Sequence, residues 1–483
     1  MEKLNVDCLI LIFNTLRADK KSLYSCLLVN REWCHLVVPI LWENYSYFFN
    51  CIESREKLFN IILSQLPPPS KQLLFDNDIM LPQTILSNHL TFNYISFCKF
   101  LDTNIVENIV NMAFKNNYIN FKKIHLLEQE IYKLFIGQCK RIKELVWETY
   151  QPLSSFPGTS ISFSQLYSLS INMDFINSDN LYEMAQICKD LNKLHINKYS
   201  HNIPGLISLI DAQRNLKMLI FDSDPYIKKV TCEELGNAIA RKSSTLNNLS
   251  LFNSVGVIPH SFLSSLVNLK NLYIVDEQYD FNKYQDIKEF QHYLEILEFP
   301  DLQSLYFNVL SFFKELALLI EKTKGNLTCI SVCTPNESAK NTGMLIKSIA
   351  NNCPKIKFLT THLGSNDLFY LKSLLLNCRN LTYLNLRSLN ENNNNIGDEL
   401  LDILTKFSPM SLIMVTISGD WKYSVNAFQR FFGSYRGRKL FCFDIIGYNF
   451  KERITSEHVE IVKKYFDEGI IRGSNLLSLY CKY

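Results

Sequence analysis

Fourteen cysteines and nine histidines are the residues of this 483-residue chain best equipped for chemistry. As ligands they would hold zinc, and as a thiolate and imidazole pair they would attack a carbonyl. Their spacing supports neither. No Cys-x-x-Cys pair occurs; Cys329 and Cys333 come nearest, and no second pair or His pair follows at zinc-ligand spacing. His195 stands between the apolar residues Leu194 and Ile196, which turns it out of a strand as a surface contact. No phosphate loop, His-Glu-x-x-His helix or Gly-x-Ser-x-Gly elbow is present. The expectation is no catalytic residue, no metal and no cofactor, hence no enzyme. Four cysteines instead share one position: Cys139, Cys188, Cys353 and Cys378 each stand three residues before the apolar residue that opens a Leu/Ile-x-x-Leu phrase. Recurrence at one position points to packing, with each thiol acting as a small apolar group where helix meets strand.

That phrase, extended to apolar-x-x-apolar-x-apolar, organises the chain from residue 121. It begins as Phe121…Ile124…Leu126 and Ile142…Leu145…Trp147, and it ends as Leu440…Phe443…Ile445. In all it makes thirteen copies whose starts lie 21 to 33 residues apart, most often 25. Helical stretches fall between copies. Ser178 precedes Leu181 to Cys188, Thr231-Cys232-Glu233-Glu234 spells a capping box before Leu235, Asn366-Asp367 precedes Leu368 to Asn377, and Gly397-Asp398 precedes Leu400. A short strand and a helix, repeated, must stack, because one unit cannot bury its apolar face alone. The period resembles that of leucine-rich repeats, and the Cys-x-x-Leu/Ile-x-x-Leu spelling resembles their cysteine-containing class. Ser456 to Phe466, with Val459, Val462 and Phe466 inward and Gly469 as C-cap, reads as the terminal cap. The Asn390 to Asn395 run reads as a polar loop.

Ahead of the repeat, the first forty residues read as three short helices. Leu9, Ile12, Phe13 and Leu16 form one helical stripe, Asp19 and Ser22 flank the next helix, and Trp33, Leu36, Val37 and Ile40 mark a third before Pro39 and Trp42 turn the chain out. A piece this small must lean on something else. Leu9…Ile12-Phe13, Leu23…Cys26…Val29-Asn30-Arg31-Glu32-Trp33 and Leu41-Trp42 resemble the F-box family, with Asn5 where the family has Pro. The resemblance covers residues 4–42. It implies docking on a Skp-type adaptor, and through it a cullin, with Leu4, Asn5, Leu9, Ile12, Phe13, Val29 and Trp33 forming the contact or the core beneath it. From Ile52 a helix runs to Leu66, where Pro67-Pro68-Pro69 stops it, and Leu73 to Asn117 reads as further helix.

The expected architecture is α/β: a three-helix F-box at 1–45, a helical linker at 46–120, a leucine-rich-repeat solenoid of curved parallel sheet with outer helices at 121–450, and a capping helix with tail at 451–483. An apolar share of 47% with 20% charged residues describes an ordinary soluble protein, and a net charge of +3 argues against nucleic acid or an anionic membrane as partner. No stretch of twenty apolar residues occurs. Reduced thiols and the absence of a signal-peptide pattern suit the cytoplasm or nucleus. Strand residues between the inward positions alternate onto the open sheet face. His195, Tyr273, Tyr306, Phe358, Tyr383 and Arg387 there have the composition of a binding surface. The expected function is substrate recognition in a Skp–cullin–F-box ubiquitin ligase, the repeats holding an unknown target protein. The alternative is a repeat scaffold or inhibitor with no ubiquitin role.

Overall fold

The computed structural model describes residues 4–43, 45, 52–81, 85, 90–114, 120–201, 203–224, 231–276, 284–308, 311–334, 340–389, 396–419, 421–447 and 454–480. The chain divides into two compact units, Met1–Leu216 and Lys217–Tyr483. The polar run at 390–395 lies outside the described residues.

The first unit opens with α1 (Val6–Thr15), α2 (Lys20–Leu27) and α3 (Arg31–Trp42). Asp19 caps α2 by accepting the Ser22 N–H, as its spacing predicts. Pro39 does not turn the chain out. It lies inside α3, which ends only at Trp42, and its carbonyl accepts the Glu43 N–H at 3.0 Å. Trp42 and Tyr45 then pack on Tyr94 and Phe135, with ring centroids 4.5 and 5.7 Å apart. The same unit carries β1 (Phe100–Asp102), β2 (Glu144–Trp147), β3 (Ser168–Asn172) and β4 (Lys193–Tyr199), all parallel and adjacent in chain order.

Two expectations fail here. The phrase Phe121…Ile124…Leu126 is not a strand; it opens the helix Phe121–Gln138, and Phe121 is exposed. Its apolar residues also satisfy helical spacing, and the length of the run, 18 residues, decides for helix. The first strand lies earlier, at β1, inside a stretch that reads as helix from Leu73 onward. It is three residues long, too short to carry a period.

The second unit holds β5 (Met218–Ser223), β6 (Asn248–Phe252), β7 (Asn271–Val275), β8 (Ser304–Asn308), β9 (Cys329–Cys333), β10 (Phe358–Leu363), β11 (Tyr383–Ser388), β12 (Met414–Ser418) and β13 (Cys442–Ile446), again parallel and in order. Parallel neighbours need a crossover connection, and helices supply most of them. One residue per strand forms a file: Leu219, Leu249, Leu272, Leu305, Ile330, Leu359, Leu384, Val415 and Phe443, each no more than 1% exposed. The fold is an α/β leucine-rich-repeat fold, read from these strands and the helices that pack side by side behind them. Two helix starts meet neighbouring backbone closely enough to require glycine. A Cβ on Gly397 would lie 2.1 Å from the Lys422 carbonyl oxygen, and one on Gly205 would lie 2.3 Å from that of Ser178.

Helix starts differ in detail from the expected caps. Asn177, not Ser178, caps its helix, in a reciprocal box with Asn180. The Thr231 box does not form; Cys232 is the N-cap without a side-chain bond, and the Thr231 hydroxyl donates to the Gly256 carbonyl. At the far end Thr455 and His458 form the box of the helix Ser456–Asp467. Val459 and Val462 are buried there, but Phe466 is exposed and Tyr465 takes the inward place. Gly469 adopts φ 72°, which frees the following segment to run beside β13. Leu440 bridges Ile471, and Asn475 pairs with Ile445 through both amide atoms, 3.1 and 2.6 Å. That segment, beyond the expected helix, satisfies the edge strand.

Candidate protein-interaction surfaces

Two surfaces of different make carry the residues that sequence reasoning singled out. The first is the helical triplet. Its core is small: Leu9, Phe13, Leu23 and the C-terminal half of α3 are buried. Phe13 meets Trp33 edge-on at 5.1 Å, which fixes α1 against α3. Arg17 reaches Glu43 with two bonds, 2.5 and 3.2 Å, and Lys99 reaches the same carboxylate at 2.5 Å. Asn5 caps α1 by accepting the Asp7 N–H at 3.1 Å, with backbone φ −61° and ψ 142°. Those angles are ones that proline adopts, so Asn5 keeps the chain direction and adds a cap.

The expected contact residues therefore split. Leu9 and Phe13 are core. Leu4, Ile12 and Val29 are exposed, at 59%, 44% and 55%. The stripe of α1 is correspondingly narrower than expected, since Ile12 and the half-buried Leu16 leave the core to Leu9 and Phe13. Leu28, at 88%, and Leu11, at 67%, join the exposed set and were missed. Their signal was present, because Ile10, Leu11 and Ile12 give α1 more apolar residues than one helix face can bury.

The second surface is the open face of the sheets. In the first unit His195 is half-buried, with Nδ1 3.3 Å from the Ser170 hydroxyl. Burial and the nearby Lys193 lower its pKa, so it is neutral at physiological pH. In the second unit Tyr273 and Tyr306 are register partners whose rings stack at 5.8 Å and 22°. Phe358 and Tyr383 are partners at 6.5 Å, and Arg387 lies opposite His362 and Ser418. Their strand positions alternate with the buried file, as the pattern requires. His362 is buried and was not singled out. Its Nε2 accepts the Thr334 N–H at 3.1 Å, and burial with the Arg387 charge beside it lowers its pKa to about 4.

The recurrent cysteines are elements of packing. Cys139, Cys188, Cys353 and Cys378 are buried and each ends a helix. The Cys188 N–H donates to the Met184 carbonyl at 2.7 Å and its thiol to the Phe163 carbonyl at 3.3 Å. Gln213 takes the same place one repeat on, its Nε2 donating to the Cys188 carbonyl at 2.8 Å. Cys378 faces the Cys353 carbonyl in the same way at 3.6 Å. The Cys188, Gln213 and Cys378 side chains thus each tie one repeat to its predecessor. Burial pushes the Cys188 and Cys378 thiols up to about 12, far from thiolate chemistry. Among the described residues no group of three or more His, Cys, Asp or Glu is placed to hold a metal ion, and no helix is long and apolar enough to cross a membrane.

No protein-family model matches the chain, and no curated protein matches it. Solved structures do. The leucine-rich-repeat protein LegL7 of Legionella pneumophila is 14% identical at TM-score 0.33, over 67% of this chain and 96% of its own. The yeast complex of Rad7 and Elc1 gives 14% identity and TM-score 0.38, over 73% of this chain and 88% of that one. A leucine-rich-repeat complex of Latrophilin 3, Unc5D and FLRT2 gives 11% and 0.28, over 59% and 84%. The fold assignment rests on this chain's own strands, and likenesses of this size carry nothing further.

Proposed function

We propose that the chain is a non-catalytic substrate receptor of a Skp–cullin–F-box ubiquitin ligase. The observation that carries this reading is the set of exposed apolar residues in the helical triplet, Leu4, Leu11, Ile12, Leu28 and Val29, in a stretch whose spelling resembles an F-box. A partner that covers them is what the resemblance implies: a Skp-type adaptor. The open sheet faces then hold a target protein through His195, Tyr273, Tyr306, Phe358, Tyr383 and Arg387. The chain contributes proximity: it raises the effective concentration of target lysines near the activated ubiquitin carrier and forms no bond itself.

Co-expression with a Skp-type adaptor tests it. The wild-type chain is expected to co-purify with the adaptor. Replacing Leu28 and Val29 by Asp is expected to weaken that complex by about tenfold or more, since charges in a buried contact cost affinity. The melting temperature should stay the same, because both side chains are exposed in the free protein. A wild-type chain that stays unbound sinks the receptor reading and leaves a repeat scaffold.

A further inference from the structure

The open face of β9 to β12 is striped by chemistry. Its first row runs Cys329, Phe358, Tyr383 and Met414, register partners across four strands, with Phe358 44% exposed. Its second row, two residues on, is Ser331, Thr360, Asn385 and Thr416, all uncharged hydrogen-bonding groups. Its third row contains one permanent charge, Arg387. Arg387 as a residue is half-buried, and among the described residues it has no hydrogen-bond or ionic partner. Its register neighbour His362 is neutral at physiological pH, and the other, Ser418, carries no charge. The acid two strands away is already engaged: Asp444 accepts the Asn475 N–H at 2.8 Å and the Cys442 thiol at 3.1 Å.

A half-buried cation with no counter-ion among the described residues attracts an anion more strongly than a solvated one does. One cation alone cannot track a nucleic-acid backbone, which needs several phosphate contacts. Hydroxyls and an amide in the middle row match the N–H and C=O groups of an extended chain. The first and third rows are four residues apart, about 13 Å at the rise of a strand.

We propose that the face of β9 to β12 receives an extended acidic segment of a partner protein, with an apolar side chain on Phe358, Tyr383 and Met414 and a carboxylate on Arg387. This rests on the reading that the open face holds the target, and it specifies the target's chemistry.

Panning of phage-displayed random twelve-residue peptides on the full chain tests it. The wild type is expected to enrich peptides with Asp or Glu three to five residues from Leu, Ile, Phe or Met. The affinity of the consensus peptide, read by fluorescence anisotropy, is expected to fall by about tenfold or more in Arg387→Glu. Panning on Arg387→Glu should then select Lys or Arg at that place. Melting curves check that the variant is folded, and Arg387→Gln replaces it if it is not. A consensus without an acid, or one indifferent to Arg387→Glu yet lost in Tyr306→Glu, overturns this inference and leaves the face a binding surface. Panning with no enrichment overturns both.

Discussion

The helical triplet and the repeat sheet of the second unit are both rich in apolar residues, yet they spend them differently. In the sheet, the file from Leu219 to Phe443 is shielded from water at every strand. In the triplet, Leu9, Phe13 and Leu23 are buried, while Leu11, Ile12, Leu28 and Val29 are not. A repeat hides its apolar file against the previous and the next copy. Three helices of about ten residues bury too little surface to hide all of theirs. Apolar content alone therefore does not distinguish a core from a docking face; what matters is whether the chain itself supplies the cover.

The contrast is sharpest when the same residue type is removed from each region. Leu305→Ala, in the buried file, is expected to cost the protein about 2–5 kcal/mol in urea unfolding. A loss below about 1 kcal/mol would mean that the file tolerates a gap and that the strands are not packed as described.

Acid should strike the second unit next. Burial holds His260 and His362 neutral, with pKa values of about 3 and about 4. Their folded values lie below the ordinary value of about 6.5, so the unfolded chain takes up protons first as pH falls. The stability they contribute is full above about pH 6.5 and is lost progressively toward pH 4, on the order of a few kcal/mol per histidine at the acid end. The histidine of the triplet, His35, is exposed. Hydrogen exchange resolved by peptide, at pH 6.5 and 4.5, should show protection lost around β10 before α1 to α3. Equal loss in both regions would contradict the burial of these imidazoles.

The smallest effect is expected in the triplet. Leu28→Ser should change stability by no more than about 0.5 kcal/mol, because the side chain is already in water. A larger loss would show that α2 needs Leu28 for its own packing, and the proposed docking role of Leu28 would fail.

Twelve of the thirteen apolar phrases fall on strands β2 to β13, because period-2 alternation inside a period of about 25 residues is a local signal. The exception, Phe121 to Leu126, satisfies both periods, and only the length of the helix it opens separates them. The Cys188 and Cys378 position was legible as packing from its recurrence alone. Their bonds to the Phe163 and Cys353 carbonyls were not, since those partners lie 25 residues away. Leu11 and Leu28 escaped notice because a helix with apolar residues on several sides does not say which side is covered. The Thr231 box failed for a similar reason: its hydroxyl found the Gly256 carbonyl, 25 residues on, in place of its own helix.

The sequence by itself determined the repeat, the inward file and the residues that alternate away from it, since each depends only on neighbours within one copy. Tertiary structure alone decided what faces what: Tyr273 on Tyr306, Arg387 beside a neutral His362, and Asn475 on the edge of β13. Register between strands of the second unit brings together residues 23 to 33 positions apart, and no local rule of spacing specifies which chemistry will meet there.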